Sequence, residues 1–281
     1  MRGKLPIQII ETIKRRRSVR TYQDKALEPD VREKLQRYMD SLENPFGQPV
    51  KKYMIDKKVA TEGERLGTYG LIKGANTFLG ISVPDTDLAH VAAGYEFENL
   101  ILEATALGLG TVWLAATFNR EGFASAMGIP KDELFPAISP VGYPAAKRSL
   151  TESLMRTAMR SSTRKEWDTL FFLNDFRTPL TKEMAGDYAE PLEMVRLAPS
   201  DKNTQPWRVL KSGNSFHFYV ARKSGISREE EIIKRVDAGI ALSHFHQTAL
   251  ELGLKGHFRQ AEQASVERPQ NSCYIISWHA E

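Results

Sequence analysis

The chain has 281 residues, of which 41% are hydrophobic and 26% charged, values typical of a globular protein with one large domain or two half-sized ones. The formal net charge of +4 is small and spread along the chain, so nucleic acid is not the default partner. The single cysteine, Cys273, excludes an intramolecular disulfide and a cysteine-rich metal site. Residues 1–20 lack the apolar region of a signal peptide, and no apolar run reaches membrane-spanning length, so we expect a cytoplasmic protein without a membrane segment.

The first part of the chain predicts alternating helices and strands. Ile9, Ile10 and Ile13 have helical spacing, which predicts an amphipathic helix over residues 7–15. Pro29 and an acidic residue after it are typical of a helix start, and they place a second helix over residues 27–42. Further patterning predicts a strand at 76–83, a long helix at 89–109, a buried strand at 111–116 and another strand at 137–143.

Residues 149–165 are polar, basic and rich in Ser and Thr, which indicates a linker. We therefore predict a first half over residues 1–150, a linker over 151–172 and a second half over 173–281.

The second half repeats the pattern of the first. Residues 19–50 align without gaps on residues 176–207, and with a different shift Ala93-Gly94 aligns on Ala238-Gly239. The segment ALGLG at 106–110 then aligns on ELGLKG at 251–256. One explanation is chance similarity between two amphipathic helices. The shared order of helix, Gln-Pro turn, strand, Ala-Gly helix and Gly-Leu-Gly end favours an internal duplication, in which two related halves pack as a pseudo-dimer.

A basic cluster, RRRSVR at residues 15–20, follows the first helix. Guanidinium groups bind phosphate through paired hydrogen bonds, but a short basic run taken alone is typical of a solvated surface. The repeat favours a site, because Arg17 and Ser18 align on Asn174 and Asp175, and an aspartate would repel phosphate. The first half would then have kept an anion site that the second half lost.

A second candidate is the turn APSDKNTQPW at residues 198–207. Pro199 and Ser200 favour a turn, and Asn203 tolerates unusual backbone angles. Proline after Gln205 predicts an extended Gln205, and Trp207 is expected to anchor the next strand in the core.

The first-half counterpart of this turn, residues 41–50, keeps the Gln-Pro pair but lacks the Pro-Ser pair, the asparagine and the tryptophan. Each half therefore is predicted to keep one lobe of a split site.

These segments resemble the nitroreductase family of FMN-dependent oxidoreductases. RRSVRTY at 16–22 resembles its RRSxRxF signature, and the turn at 198–207 resembles its PSxxNxQPW signature. GYEFENLILEATALGLGTVWLA at 94–115 resembles its long core helix and the strand after it. VGYP at 141–144, with Lys147 and Arg148, resembles its late phosphate-side element.

The resemblance implies an α+β fold of α/β/α layers, with mixed, mostly antiparallel sheets flanked by helices. Family members usually form homodimers with FMN sites across the subunit interface, whereas here the two signatures lie in different halves of one chain. We therefore expect a single composite FMN site in a monomeric pseudo-dimer.

The resemblance also implies roles for individual residues. It places the flavin phosphate and ribityl chain near the RRSxR motif, the pyrimidine end of the ring near Arg20, and the reactive N5 edge near the backbone of Ala115 and Ala116. The flavin carries the redox chemistry, so no side chain is predicted to be catalytic and no metal is expected. The predicted cofactor-binding residues are Arg16, Arg17, Ser18, Arg20, Thr68, Tyr69, Gly70, Ala115, Ala116, Lys147, Arg148, Pro199, Ser200 and Asn203.

The implied activity is ping-pong hydride transfer from NAD(P)H to the flavin and on to a small-molecule electron acceptor such as a quinone or a nitroaromatic. One alternative is a flavin-storage protein in which Tyr69, Phe46 or Trp113 covers the ring. Another is a binder of nucleic acid or an acidic partner through residues 14–20 and 155–165. We interpret the six histidines as structural, because they form no convincing ligand set.

Overall fold

A computed structural model describes residues 8–56, 67–146, 163–222, 225–260 and 271–281 of the chain. The fold is α+β, with antiparallel-dominated sheets flanked by helices, as the sequence predicted. In the described residues that precede 147, the elements are α1 (Ile9–Arg15), α2 (Pro29–Ser41), β1 (Lys51–Asp56), β2 (Thr77–Val83), α3 (Asp87–Ala106), β3 (Gly110–Thr111), α4 (Arg120–Met127) and β4 (Leu134–Gly142).

The described residues from 163 onward form a second set of elements. Short 3-10 helices lie at Trp167–Thr169, Gly186–Tyr188 and Asp201–Asn203. The regular elements are β5 (Phe171–Leu173), α5 (Lys182–Ala185), α6 (Ala189–Leu197), β6 (Trp207–Ser212), β7 (Ser215–Ala221), α7 (Arg228–Glu251), β8 (Gly256–Arg259) and β9 (Ser272–Ala280).

The two sheets repeat one topology. The first has the order β1-β2-β4-β3, and the second has the order β5-β6-β7-β9-β8, so β6 to β9 follow the same order as β1 to β4. All pairings between these corresponding strands are antiparallel, and only β5 adds a parallel pairing, to β6. The duplicated sequence pattern therefore corresponds to two related halves.

Helices α3 and α7 form the centre of the molecule. Almost every residue of α3 is buried, which fits a helix that is apolar on most of its surface. The N-terminus of α7 is well capped, because Ser227 accepts a hydrogen bond from the Glu230 N–H and three glutamates occupy the first turn.

The two helices cross at a pair of glycines. A Cβ atom on Gly94 would collide with the carbonyl oxygen of Val236, and one on Gly239 would collide with the carbonyl oxygen of Val91. Val91 stands three residues before Gly94, and Val236 stands three residues before Gly239. The contact is therefore reciprocal, as at the axis of a symmetric dimer. The Ala-Gly pairs that aligned in the repeat are thus the place where the backbones of the two halves touch.

The predicted strand at 111–116 is wrong as a continuous element. The structure has a two-residue strand, β3, and then an isolated bridge between Leu114 and Ile138. Between them the Val112 N–H donates to the Ser139 hydroxyl, so this backbone turns away from the regular ladder.

The segments just before the two aligned repeats, which begin at residues 19 and 176, lie at different sheet edges. Ser18 bridges Thr111 beside β3, whereas β5 pairs with β6 at the opposite edge of the second sheet. The alignment of Arg17 and Ser18 on Asn174 and Asp175 therefore does not join equivalent positions in space. Strand β5 begins at Phe171, inside the segment predicted as a linker, whose residues 151–162 lie outside the described part of the chain.

Candidate functional site

A pocket lies between the two halves, and both predicted lobes line it. The first half contributes the segment after α1 and the irregular backbone after β3. The second half contributes the turn before β6 and one face of α7. The lining residues used below are Arg16, Ser18, Arg20, Leu71, Trp113, Ala115, Ala116, Arg164, Pro199, Ser200, Asp201, Lys202, Asn203, Ile233, Val236, Asp237 and Ile240.

Arg16 places a buried guanidinium on the wall of this pocket. Helix α1 ends at Arg15, and the extended backbone of Arg16 turns its side chain inward until only 7% of it is exposed. Its Nε atom lies 3.7 Å from Glu98 Oε1 and makes no hydrogen bond within the described residues. Burial lowers the pKa of Arg16, and the Glu98 carboxylate opposes that shift. The site therefore holds a positive charge with unused hydrogen-bonding capacity.

Glu98 links Arg16 to the other half of the molecule. Its Oε2 atom accepts a hydrogen bond of 2.7 Å from the Trp113 indole N–H, and its Oε1 atom lies 2.9 Å from His244 Nε2. His244 Nδ1 lies 2.9 Å from the carbonyl oxygen of Met194, which can only accept, so Nδ1 carries a proton. The His244 Nε2 atom thus faces the Glu98 carboxyl at hydrogen-bonding distance. This buried chain fixes Arg16 from both central helices.

Arg164 brings a second guanidinium to the same pocket, and the sequence analysis missed it. Burial, together with the positive charges of Arg16 and Arg196, lowers the pKa of Arg164 to about 10. Two guanidinium groups that repel each other across a buried pocket favour an anionic ligand between them. Arg164 lies in the segment that the sequence predicted as a linker, and no motif includes it. The available signal was its position just before Trp167 and the apolar run that becomes β5.

The turn before β6 is strained. Lys202, Asn203 and Gln205 have φ angles of 48°, 56° and 45°, in the left-handed region that residues other than glycine rarely adopt. Asn203 meets the expectation of an unusual backbone, but the predicted extended conformation of Gln205 is wrong. The Gln205 N–H donates a hydrogen bond of 2.8 Å to the Ser200 hydroxyl within the same turn. This bond overrides the preference for an extended backbone that the following proline sets.

The same turn holds Arg164 in place. The Asn203 side-chain amide donates to the carbonyl oxygen of Thr163 at 3.0 Å, and the Gln205 side-chain oxygen accepts from the Lys165 N–H at 2.8 Å. The Arg164 guanidinium donates to the carbonyl oxygen of Leu197 at 3.0 Å. The pocket-lining turn and the pocket-lining arginine therefore form one unit.

Comparison with known proteins gives a family. The family model described as "Putative TM nitroreductase" matches residues 8–249, most of the chain. The chain belongs to this family.

A solved structure that covers nearly the whole chain has the same fold. A putative nitroreductase from Thermotoga maritima MSB8 superimposes with a TM-score of 0.60 at 20% identity, covering 99% of this chain and 96% of that one. A nitroreductase family protein from Clostridium difficile 630 has 22% identity and a TM-score of 0.43, and covers 54% of this chain and 92% of its own. A comparison with curated proteins returns no match.

The remaining residues predicted from the nitroreductase motifs divide into three groups. Ala115 and Ala116 line the pocket, as do both named signatures. Arg17 is exposed and does not line it, and neither do Thr68, Tyr69 and Gly70, although the adjacent Leu71 does. Lys147 and Arg148 lie outside the described residues.

The aromatic residues considered as ring covers differ in position. Trp113 lines the pocket, Tyr69 is 72% exposed, and Phe46 is buried in the core against Tyr95 and Phe258. Only Trp113 of these is in a position to cover a ligand in this nitroreductase-family pocket.

The basic cluster does not form a continuous surface. Lys14 pairs with Glu190 at 3.1 Å, Arg15 donates to the carbonyl oxygen of Thr105, and Arg16 and Arg20 are buried. A polyanion outside the protein could not reach the buried pair. Within the described ranges, no group of three or more His, Cys, Asp or Glu side chains could hold a metal ion. Of the helices in those ranges, none is both long and apolar enough to cross a membrane.

Proposed function

We propose that this nitroreductase-family protein binds one FMN per chain in the pocket between its halves and acts as an NAD(P)H-dependent flavin oxidoreductase. The observation that carries the proposal is the pair of guanidinium groups on one pocket, that of Arg16 buried and that of Arg164 partly buried. They face a ligand space whose other walls include Ile233, Val236 and Ile240. A flavin mononucleotide has both characters, since it joins a phosphate to a flat, largely apolar ring.

The Nε atom of Arg16 shows whether the pocket suits FMN. A buried donor without a hydrogen bond costs free energy, and a phosphate or ribityl oxygen would satisfy it. Arg164 and Ser18 are the other proposed phosphate-side donors, and Lys147 and Arg148 remain proposed from the motif alone. Arg20, 8% exposed, would place its positive charge at the pyrimidine end of the ring.

When bound, the flavin would accept a hydride from NADH or NADPH and pass it to an acceptor such as a quinone or a nitroaromatic. The chain's own residues would hold and orient it. The turn at Pro199, Ser200 and Asn203 would contact it from the second half, and the backbone at Ala115 and Ala116 would lie at the reactive edge. The strain in the turn fits a segment kept in one shape for binding.

A stoichiometry of one flavin follows from the charges in a second cavity. That cavity is lined by the repeat counterparts of the elements that line the first pocket. Leu88 and Val91 of α3 correspond to Ile233 and Val236 of α7, and β9 corresponds to β4. Its two arginines are already neutralised, because Arg222 lies 2.5 Å from Glu231 and Arg235 lies 2.7 Å from Asp87. A phosphate there would compete with both carboxylates, so we propose no second FMN.

The proposal is tested by mass spectrometry of the bound chromophore, with its stoichiometry per chain, after reconstitution with excess FMN. We expect one FMN, bleached by NADH or NADPH under anaerobic conditions and restored by a quinone. Two flavins per chain would contradict the single site. A bound flavin that neither donor bleaches would favour flavin storage, and a protein that stays colourless would exclude both functions.

Replacing Arg164 tests the part of the site that the motifs did not predict. We expect Arg164→Gln to weaken FMN binding about tenfold or more, because a charge-assisted hydrogen bond to phosphate is worth about 1.5–3 kcal/mol. The measurement is titration of the flavin-free protein with FMN, followed by flavin fluorescence.

The matched control is Arg177→Gln, which removes the same charge from a side chain that is 91% exposed. Equal affinities for the Arg164 variant and the control would show that Arg164 does not touch the ligand.

A further inference from the structure

Asp237 is a buried acid on the wall of the same pocket. It lies on α7 between the lining residues Val236 and Ile240 and is only 3% exposed. None of the sequence motifs includes it. A buried carboxyl that faces a pocket is either paired with a cation or neutral, because an isolated buried charge is expensive.

No cation pairs with it. In the part of the chain that the structure describes, no Lys, Arg or His nitrogen lies within 4.0 Å of the Asp237 carboxyl, and its one hydrogen-bond partner is the Asp201 N–H. That single N–H is shared, at 3.1 Å from Oδ1 and 3.3 Å from Oδ2. An ionised carboxylate has about four acceptor positions to satisfy, so one shared donor leaves it poorly solvated.

Burial outweighs the charges and hydrogen bond around Asp237. It raises the pKa of Asp237 well above the ordinary value; the hydrogen bond from the Asp201 N–H opposes that shift, and the nearby Asp201 carboxylate adds to it. Lys234, one turn earlier on α7, acts in the opposite direction but is bound to Glu230 at 3.6 Å. The remaining charged groups that line the pocket are Arg16, Arg20, Arg164 and Lys202.

An ionised Asp237 would also oppose the ligand. The proposed flavin carries a phosphate and becomes more negative on reduction, so a carboxylate on the wall would repel it. A neutral carboxylic acid instead offers an O–H donor, and the flavin ring has carbonyl oxygens and ring nitrogens that accept.

We propose that Asp237 is held as a neutral carboxylic acid and donates a hydrogen bond from its O–H group to an acceptor atom of the flavin ring. The donor role rests on the proposed function, whereas the neutral state is a property of the protein alone. Asp237 is thus a ring-binding residue contributed by the second half.

The neutral state is tested without flavin. A native pKa above the unfolded value of about 4 means that the folded protein binds more protons between those two values, so its stability falls as the pH rises. We expect the free energy of unfolding of wild type, relative to Asp237→Asn, to fall from pH 4 to pH 7. The asparagine variant keeps an acceptor for the Asp201 N–H and has no carboxyl to titrate. A difference that does not change with pH would overturn the neutral state.

The donor role is tested by FMN affinity against pH. We expect Asp237→Asn, whose amide still donates, to bind FMN within about threefold of wild type at pH 6, and Asp237→Ala to bind about tenfold more weakly. Wild type should lose affinity relative to the asparagine variant as the pH rises through the pKa of Asp237.

A purely structural anchor for the Asp201 N–H gives the opposite trend, because a carboxylate is the stronger acceptor. A ratio of affinities that stays constant or favours wild type at high pH would therefore overturn the donor role. A wild type that binds no FMN removes the donor role together with the proposed function, while the unfolding measurements still decide whether Asp237 is neutral.

Discussion

Arg16→Ala is expected to weaken FMN binding about 100-fold. The guanidinium is buried, lies on the pocket wall and has an Nε atom without a hydrogen bond in the described structure. A phosphate or ribityl oxygen bound there would form charge-assisted hydrogen bonds in a region where water competes poorly, each worth up to about 3 kcal/mol. The dissociation constant of FMN, measured by calorimetry on flavin-free protein, checks this.

Arg17→Ala is the matched control for Arg16→Ala. It removes the same charge one residue away, from a side chain that is exposed and does not line the pocket. We expect its FMN affinity to stay within about twofold of wild type, as for screened surface charges. Equal losses in both variants would mean that the cluster acts only through its overall charge.

If the site is split between the halves, a change in the second half should also weaken FMN binding. Asn203→Ala should also weaken FMN binding, by about tenfold, because Asn203 lines the pocket and holds the Thr163 carbonyl beside Arg164. If the change at Arg16 mattered and the change at Asn203 did not, the split-site model would need revision.

Gly94→Ala is expected to destabilise the protein by about 3 kcal/mol, and Gly239→Ala by a similar amount. In each case the added Cβ would overlap a backbone carbonyl oxygen of the opposing helix, at Val236 or Val91, and a backbone atom cannot turn aside as a side chain can. The midpoint of thermal unfolding, measured by circular dichroism, should fall by roughly 5 °C. The double variant should cost less than the sum, because one separation of the helices relieves both overlaps.

The sign of this effect is informative. Alanine is favoured over glycine inside a helix by about 1 kcal/mol, so without the helix contact Gly94→Ala would stabilise the protein. Gly80→Ala, in β2, is the control, because its Cβ would meet side chains, the flexible end of Met127 and the ring edge of Phe135, rather than backbone. A Gly94→Ala variant as stable as wild type would show that the central helices do not meet as described.

Local sequence chemistry determined the helices and the two lobes of the candidate site. The spacing of Ile9, Ile10 and Ile13 and the proline at position 29 place α1 and α2 within two residues of where the structure has them. The two signatures at 16–20 and 199–203 line one pocket, and that this pocket binds a flavin stays a prediction. Helix bounds and signature segments depend on residues that are close in sequence, so the pattern along the chain can predict them.

Contacts between distant segments needed the tertiary structure. Arg164 lies in a polar stretch that resembles a linker, and hydrogen bonds to the turn help to place its charge beside Arg16. Asp237 is an ordinary polar position in a helix until the burial of α7 against the pocket removes its solvent. The Gln205 side chain likewise accepts a hydrogen bond from the Lys165 N–H, 40 residues earlier in the chain.

The contact between Gly94 and Gly239 was predicted only in part from the sequence. The sequence identified the two Ala-Gly steps as equivalent, because each stands in the same place in its repeat. It could not show that the two glycines face each other, because that depends on how one half rotates onto the other, and no local preference specifies this rotation. The sequence by itself determined which elements each half can form and which signature each half contains. The packing of α3 on α7 decided that the two signatures meet in one pocket, since these helices make the largest contact between the halves.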